Sequence, residues 1–132
     1  MAKKPAILCV DDEKVVTDTL VSQIRLAFGN QFSLLQAGGV EEAFEVIEEL
    51  KEEGVELKLI ISDWLMPPHR GDQFLKAINE TWPEVKLIML SGQADEEAIQ
   101  RVKALSSLIA YVRKPWDKEE IIQLINQHVL TQ

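Results

Sequence analysis

A single cysteine, Cys9, is all the thiol chemistry in 132 residues, so no internal disulfide can form and the fold must rest on packing. Cys9 lies inside the apolar run Ala6-Ile7-Leu8-Cys9-Val10, where a lone thiol reads as a core residue. No apolar stretch approaches the roughly 18 residues of a membrane span. The basic start Met1-Ala2-Lys3-Lys4 leads into an apolar run too short for a signal peptide. Positive charge is also scarce: 14 Lys and Arg stand against 22 Asp and Glu, for a net charge of −8. Such a chain repels phosphate backbones, so direct nucleic-acid binding is not expected. These absences together predict a cytoplasmic protein with no membrane association.

What is present is ordinary globular material. Hydrophobic residues make up 46% and charged residues 27%, which excludes a disordered or collagen-like chain. The length suits one domain, since domains cluster near roughly 100 to 150 residues. A chain of this size hides about two-thirds of its extended surface on folding, enough for a core without a structural metal. One domain over residues 1–132 is expected, with no effector domain in the chain. There is no internal repeat or low-complexity segment.

Two patterns alternate along the sequence. Short apolar runs occur at Ala6 to Val10, Phe32 to Leu35, Leu57 to Ile61, Val85 to Leu90 and Leu108 to Val112. Several lack polar alternation, which suits strands buried on both faces and hence a parallel sheet. Between them lie stretches of helical period. Over 14–28 the stripe is Val16, Leu20, Ile24 and Ala27, with Gly29 at the stop. Over 40–53 it is Val40, Ala43, Phe44, Ile47 and Leu50, and the other face carries Glu41, Glu42, Glu45, Glu48, Glu49, Glu52 and Glu53. Shorter stripes are Phe74, Leu75 and Ile78 over 72–80, and Ala98, Ile99, Val102 and Leu105 over 95–105. The last, over 118–130, is Ile121, Ile122, Ile125 and Val129. Asp117 and Glu120 are spaced as a capping box, with Trp116 and Ile121 as its hydrophobic staple. Strand and helix alternate with short loops, which predicts an α/β fold with an open parallel sheet covered on both faces.

In such sheets the working site lies at the carboxyl ends of the strands. The residues there are Asp11, Asp12 and Glu13, then Ser62 and Asp63, then Ser91 and Gly92, then Arg113, Lys114 and Pro115. Taken singly, each has an ordinary reading: Asp11 or Asp12 as a helix cap, Asp63 as a loop acid, Ser91-Gly92 as a turn, Lys114 as a solvated lysine. Together they form a set with chemistry. Clustered carboxylates repel unless a cation joins them, and an all-oxygen site suits Mg²⁺. A carboxylate can act as a nucleophile and form an aspartyl phosphate, and Asp63, a single acid after a central buried run, is the best candidate. Lys114 would neutralise a phosphoryl oxygen, and Ser91 would donate to another.

With those residues in hand, the sequence resembles a two-component response regulator receiver domain over about Ala6 to Val129. The anchors are Val10-Asp11-Asp12-Glu13, Ser62-Asp63-Trp64-Leu65-Met66-Pro67 with Gly71, Leu90-Ser91-Gly92, and Tyr111-Val112-Arg113-Lys114-Pro115. The resemblance implies a single doubly wound (βα)5 domain of flavodoxin-like type, with strand order 2-1-3-4-5. It implies Asp63 as phosphoacceptor and Lys114 as the phosphoryl partner. Mg²⁺ would be held by Asp11, Asp12, Asp63 and the backbone carbonyl of Leu65. Ser91 would be the switch hydroxyl and Tyr111 the switch aromatic, and the Lys114-Pro115 bond is expected to be cis. The implied partners are a sensor histidine kinase or histidine phosphotransfer protein as donor, and a downstream effector domain or protein as output.

Some positions depart from the family pattern. Arg70 stands where the family often has an acid, which puts positive charge near the site. Leu65 stands where many members carry a polar side chain, and is expected to shield the phosphoryl group from water. The last helix lacks the arginine pattern of the DNA-binding subfamily, which leaves at most a weak homodimer. Arg70-Gly71-Asp72 spells an adhesion tripeptide, read here as chance. His69 and His128 stand too far apart in sequence to suggest a metal site, and Trp64 and Trp82 read as core edge. Three rivals remain: a phosphohydrolase with Asp63 as turnover nucleophile, a flavin-binding domain of the same sheet order, and a degenerate receiver that binds partners without phosphate. Leu65 occupies the place of the second aspartate that dehalogenase-type hydrolases carry. Asp11-Asp12-Glu13 would repel a flavin phosphate.

Overall fold

The apolar runs become the strands of one parallel sheet: β1 (Ala6–Val10), β2 (Ser33–Ala37), β3 (Leu57–Asp63), β4 (Lys86–Ser91) and β5 (Leu108–Arg113). The structure is a computed structural model that describes residues 3–66, 69–92 and 96–130, with the backbone alone at 65, 66, 69–71 and 96–98. The strand order is 2-1-3-4-5, with every neighbouring pair parallel, as the resemblance implied. A two-residue antiparallel pairing, Leu65–Met66 with His69–Arg70, follows β3. Pro67, Pro68 and the side chains of Leu65, His69, Arg70 and Ala98 lie outside the described residues, and with them the charge of Arg70 and the shielding expected of Leu65.

The helices are α1 (Lys14–Phe28), α2 (Val40–Glu53), α3 (Gly71–Thr81), α4 (Glu96–Lys103) and α5 (Lys118–Ile125). A wider π turn, Asn126–Leu130, continues α5 to the length the sequence predicts. Successive residues of a strand point to opposite faces, and this alternation divides the core. Ala6, Leu8 and Val10 pack with Ile47, Phe74, Leu75, Ile78, Ile99 and Val102 under α2, α3 and α4. Ile7 and Cys9 pack with Leu20, Ile24, Ile121, Ile125 and Val129 under α1 and α5. Each fully buried Leu or Ile contributes about 1.5–3 kcal/mol over an exposed one.

Several boundaries differ from the sequence expectation. The buried side of α1 is Thr17, Leu20, Val21, Ile24 and Phe28, so the stripe is turned from the one periodicity predicts: Ala27 is exposed, and Val16 packs on the same core only partly buried. Phe28 accounts for the turn: it packs edge-on against Phe32 at 5.7 Å, which a small alanine cannot match. β2 runs on to Ala37 and takes in Gln36, whose amide oxygen accepts from Thr17 Oγ1 at 2.7 Å. Asp117 caps α5, but its side chain accepts from the Glu119 amide at 3.0 Å rather than from that of Glu120, so the cap is not the expected box. Trp116 and Ile121 do share the α1–α5 core. Gly54, at φ 71, takes the left-handed position that ends α2.

Candidate functional site

Register brings the carboxyl ends of the central strands to one level. Val10 pairs with Ser62, Asp63 with Leu90, and Ser91 with Arg113. Ser62, Asp63, Ser91 and Arg113 are the last residues of their strands rather than loop residues, so their backbones are set by the sheet. Asp11 follows β1 directly, its amide still bonded to Ala37 O at 3.1 Å. Lys114 follows β5 in the same way, with its amide donating to Ser91 O at 2.8 Å.

Four side chains converge at this edge. One carboxylate oxygen from each of Asp11, Asp12 and Asp63 lies within 4.8 Å of the others. Lys114 Nζ donates to Asp11 Oδ2 at 2.8 Å and stands 3.2 Å from Asp63 Oδ1, bridging the two buried acids. Asp12 is exposed. Asp11 Oδ1 accepts from the Glu13 amide at 2.8 Å, and Asp63 Oδ1 from the Trp64 amide at 3.0 Å. Neither Asp11 nor Asp12 caps α1, whose N-cap is Glu13, so the ordinary capping reading does not hold. A cavity of about 390 Å³ opens beside the acids, lined in part by Asp11, Asp12, Lys14, Thr17 and Gly38.

Electrostatics follows from this crowding. Burial pushes the Asp63 carboxyl above its ordinary range, and the Asp11 charge pushes the same way. Lys114 and the Trp64 amide oppose both only in part. Burial disfavours the Lys114 ammonium, yet its bond to Asp11 and the charges of Asp63 and Asp11 more than offset this and raise its pKa. Ser91 is 1% exposed, and its hydroxyl has no hydrogen-bond partner among the described residues. A buried orphan hydroxyl is costly and marks a place where a further polar group fits. Tyr111 is half-buried beside the α2–α4 core, with Lys103 Nζ 5.5 Å from its ring centre. The Lys114-Pro115 bond is cis.

The donor set fits a hard divalent cation. It holds three carboxylates and, among the described residues, no cluster that includes histidine or cysteine. The acids of such a site repel one another without a positive partner, and Lys114 supplies one.

Residues 7–126 match the family model described as "Response regulator receiver domain". The chain belongs to that family. The Hydrogenase transcriptional regulatory protein HoxA of Cupriavidus necator is 31% identical over 130 residues, covering 98% of this chain and 25% of the relative. Sensor kinase CckA of Brucella abortus is 27% identical over 121 residues, covering 92% of this chain and 12% of the relative. The receiver thus spans a quarter or less of those two relatives. Among solved structures, a response regulator receiver protein from Pseudomonas putida superposes with a TM-score of 0.82 at 26% identity, over 96% of this chain and 99% of that one. The signal receiver domain of an HD domain-containing protein from Pseudomonas fluorescens shares the fold, with a TM-score of 0.79 at 23% identity, over 97% and 96% of the two chains.

The receiver brings together Asp11, Asp12, Asp63 and Lys114, with Ser91 on the adjoining strand. Sequence reasoning missed other ties. Asp72, read as part of a chance tripeptide, is buried and accepts from Arg101 Nε at 2.8 Å, joining α3 to α4. Its place in the first turn of a predicted helix was the available signal. Trp116 Nε1 donates to Gln23 Oε1 at 2.8 Å, a contact across 93 residues that no local pattern announces. Trp64 and Trp82 both pack at the core edge.

Proposed function

We propose that this receiver accepts a phosphoryl group on Asp63 from a phosphohistidine of a sensor histidine kinase or histidine phosphotransfer protein. The carrying observation is the buried Asp63 carboxylate bonded to Lys114 within reach of Asp11 and Asp12. An Asp63 oxygen attacks phosphorus as the P–N bond to the donor imidazole breaks, and the bonding pair leaves with the imidazole nitrogen. Lys114 sits where charge builds on the phosphoryl oxygens, and Ser91 has a free hydroxyl to offer one of them. Asp11, Asp12, Asp63 and the Leu65 carbonyl would hold Mg²⁺, which supplies charge neutralisation for carboxylates and phosphoryl oxygens. The same residues would return the phosphoryl group to water, so the domain is a switch with self-limited lifetime rather than a turnover enzyme.

The new dianionic group biases a two-state surface. Ser91 moves toward it, Tyr111 turns inward, and the face of α4, β5 and α5 changes shape for an effector partner or fused output domain. HoxA is a transcriptional regulatory protein and CckA a sensor kinase, so related receivers sit in proteins of different kinds. We place the reaction in the cytoplasm, where kinase domains and their ATP are found; no described helix is long and apolar enough to cross a membrane. Intact mass after incubation with acetyl phosphate and Mg²⁺ tests the reading. One added phosphoryl group is expected, lost in Asp63→Asn and blocked by a chelator. Normal modification of Asp63→Asn overturns the assignment, and multiple turnover of a small phosphoester would favour the hydrolase reading.

A further inference from the structure

Lys114 is aimed by a segment that belongs to neither strand nor helix. β5 ends at Arg113 and α5 begins at Lys118. The ammonium nonetheless stands between two buried acids, 2.8 Å from Asp11 and 3.2 Å from Asp63. A lysine side chain is a flexible four-carbon stem, so its aim depends on where its backbone is held. One anchor is the Lys114 amide on Ser91 O. The second lies two residues on, where the Trp116 indole packs against the α1–α5 core and donates its N–H to Gln23 Oε1 of α1 at 2.8 Å. Both side chains are half-buried. The indole has one donor and nothing else to offer, so the loss of Gln23 Oε1 removes its hydrogen bond to α1.

We propose that Trp116 and Gln23 form a positioning pair that sets where the Lys114 ammonium stands, an inference that rests on the reading of Asp63 as phosphoacceptor. α1 begins just after Asp11 and Asp12, so the pair ties the lysine to the helix that also follows the acid pair. The competing account is that Trp116 acts through bulk alone, as the apolar staple with Ile121. The two differ at the polar atoms. Gln23→Met keeps length and removes the acceptor, whereas Gln23→Glu keeps an acceptor.

The test measures the rate of mass gain from acetyl phosphate and Mg²⁺ for Gln23→Met and Gln23→Glu, each also combined with Lys114→Ala, alongside urea unfolding of every variant. Gln23→Met is expected to slow modification on the order of tenfold, as supporting contacts around reactive groups generally do. Gln23→Glu is expected to restore the rate, and Gln23→Met to add nothing once Lys114 is absent. An unchanged rate in Gln23→Met, or equal slowing with and without Lys114, overturns the pair. A wild type that gains no mass sinks the phosphoacceptor reading instead. In that case the unfolding data decide: non-additive stability losses for Gln23→Met and Lys114→Ala sustain the pair, and additive losses refute it.

Discussion

Asp63 is held in a state that the fold resists. Burial and the Asp11 charge raise its pKa, so protonation favours the folded form. Its contribution to stability is complete below the unfolded aspartate value, near pH 4, and is lost as pH rises through the higher folded value. Asp63→Asn should therefore melt higher than wild type at neutral pH. The gap should shrink as pH falls and close below about pH 3, where wild-type Asp63 is largely neutral in both states. A lower melting temperature in Asp63→Asn at neutral pH would contradict the electrostatic account. The same crowding predicts that Mg²⁺ stabilises the receiver, by about 1.4 kcal/mol at ten times its dissociation constant. Thermal melts with and without chelator measure it, and the absence of any shift argues against the cation site. Cys9 is the opposite case: burial lifts its thiol to about 12, so it should resist iodoacetamide below pH 9 unless the protein is unfolded. The acids and Lys114 were legible in the sequence because each closes an apolar run. That Lys114 bridges Asp11 and Asp63 was not, because a contact spanning 103 residues is made by the sheet.

At the scale of elements, α5 shows what local pattern carries. Asp117 sits at its N-cap and bonds the Glu119 amide, so Asp117→Ala should lower stability by about 1 kcal/mol in urea unfolding. Ile60, fully buried at the centre of β3, should cost about 3 kcal/mol when cut to alanine. An Ile60→Ala loss no larger than that of Asp117→Ala would mean the sheet core is not where stability resides. Every predicted strand and helix has its counterpart, since runs without alternation and stripes at spacing three and four are properties of neighbours in sequence. The turned stripe of α1 was not legible. Its cause is Phe28 against Phe32, a contact made after the helix ends. The loss of the expected box at α5 has a similar origin, since the choice between the Glu119 and Glu120 amides depends on how the chain enters from Trp116.

For the whole molecule, parallel strands need crossover helices, and the right-handed crossover rule leaves few arrangements for five such units. The order 2-1-3-4-5 came from family resemblance, because periodicity alone does not say which strand is central. That order matters chemically: it sets β1 and β3 side by side, and so places Asp11 next to Asp63. It also puts β4 beside β3 and β5 beside β4, which brings Ser91 and Lys114 to the same edge as Asp63. Tyr111 of β5 meets α4 through Lys103, and α3 meets α4 through Asp72 and Arg101. The proposed function depends on one covalent event at one residue. The most direct measurement is borohydride reduction of the phosphorylated receiver followed by peptide sequencing in the mass spectrometer, which turns an acyl phosphate into an alcohol. The account predicts homoserine at position 63 and nowhere else. Homoserine at position 11 or 12, or an unreduced Asp63 in fully phosphorylated protein, would contradict it.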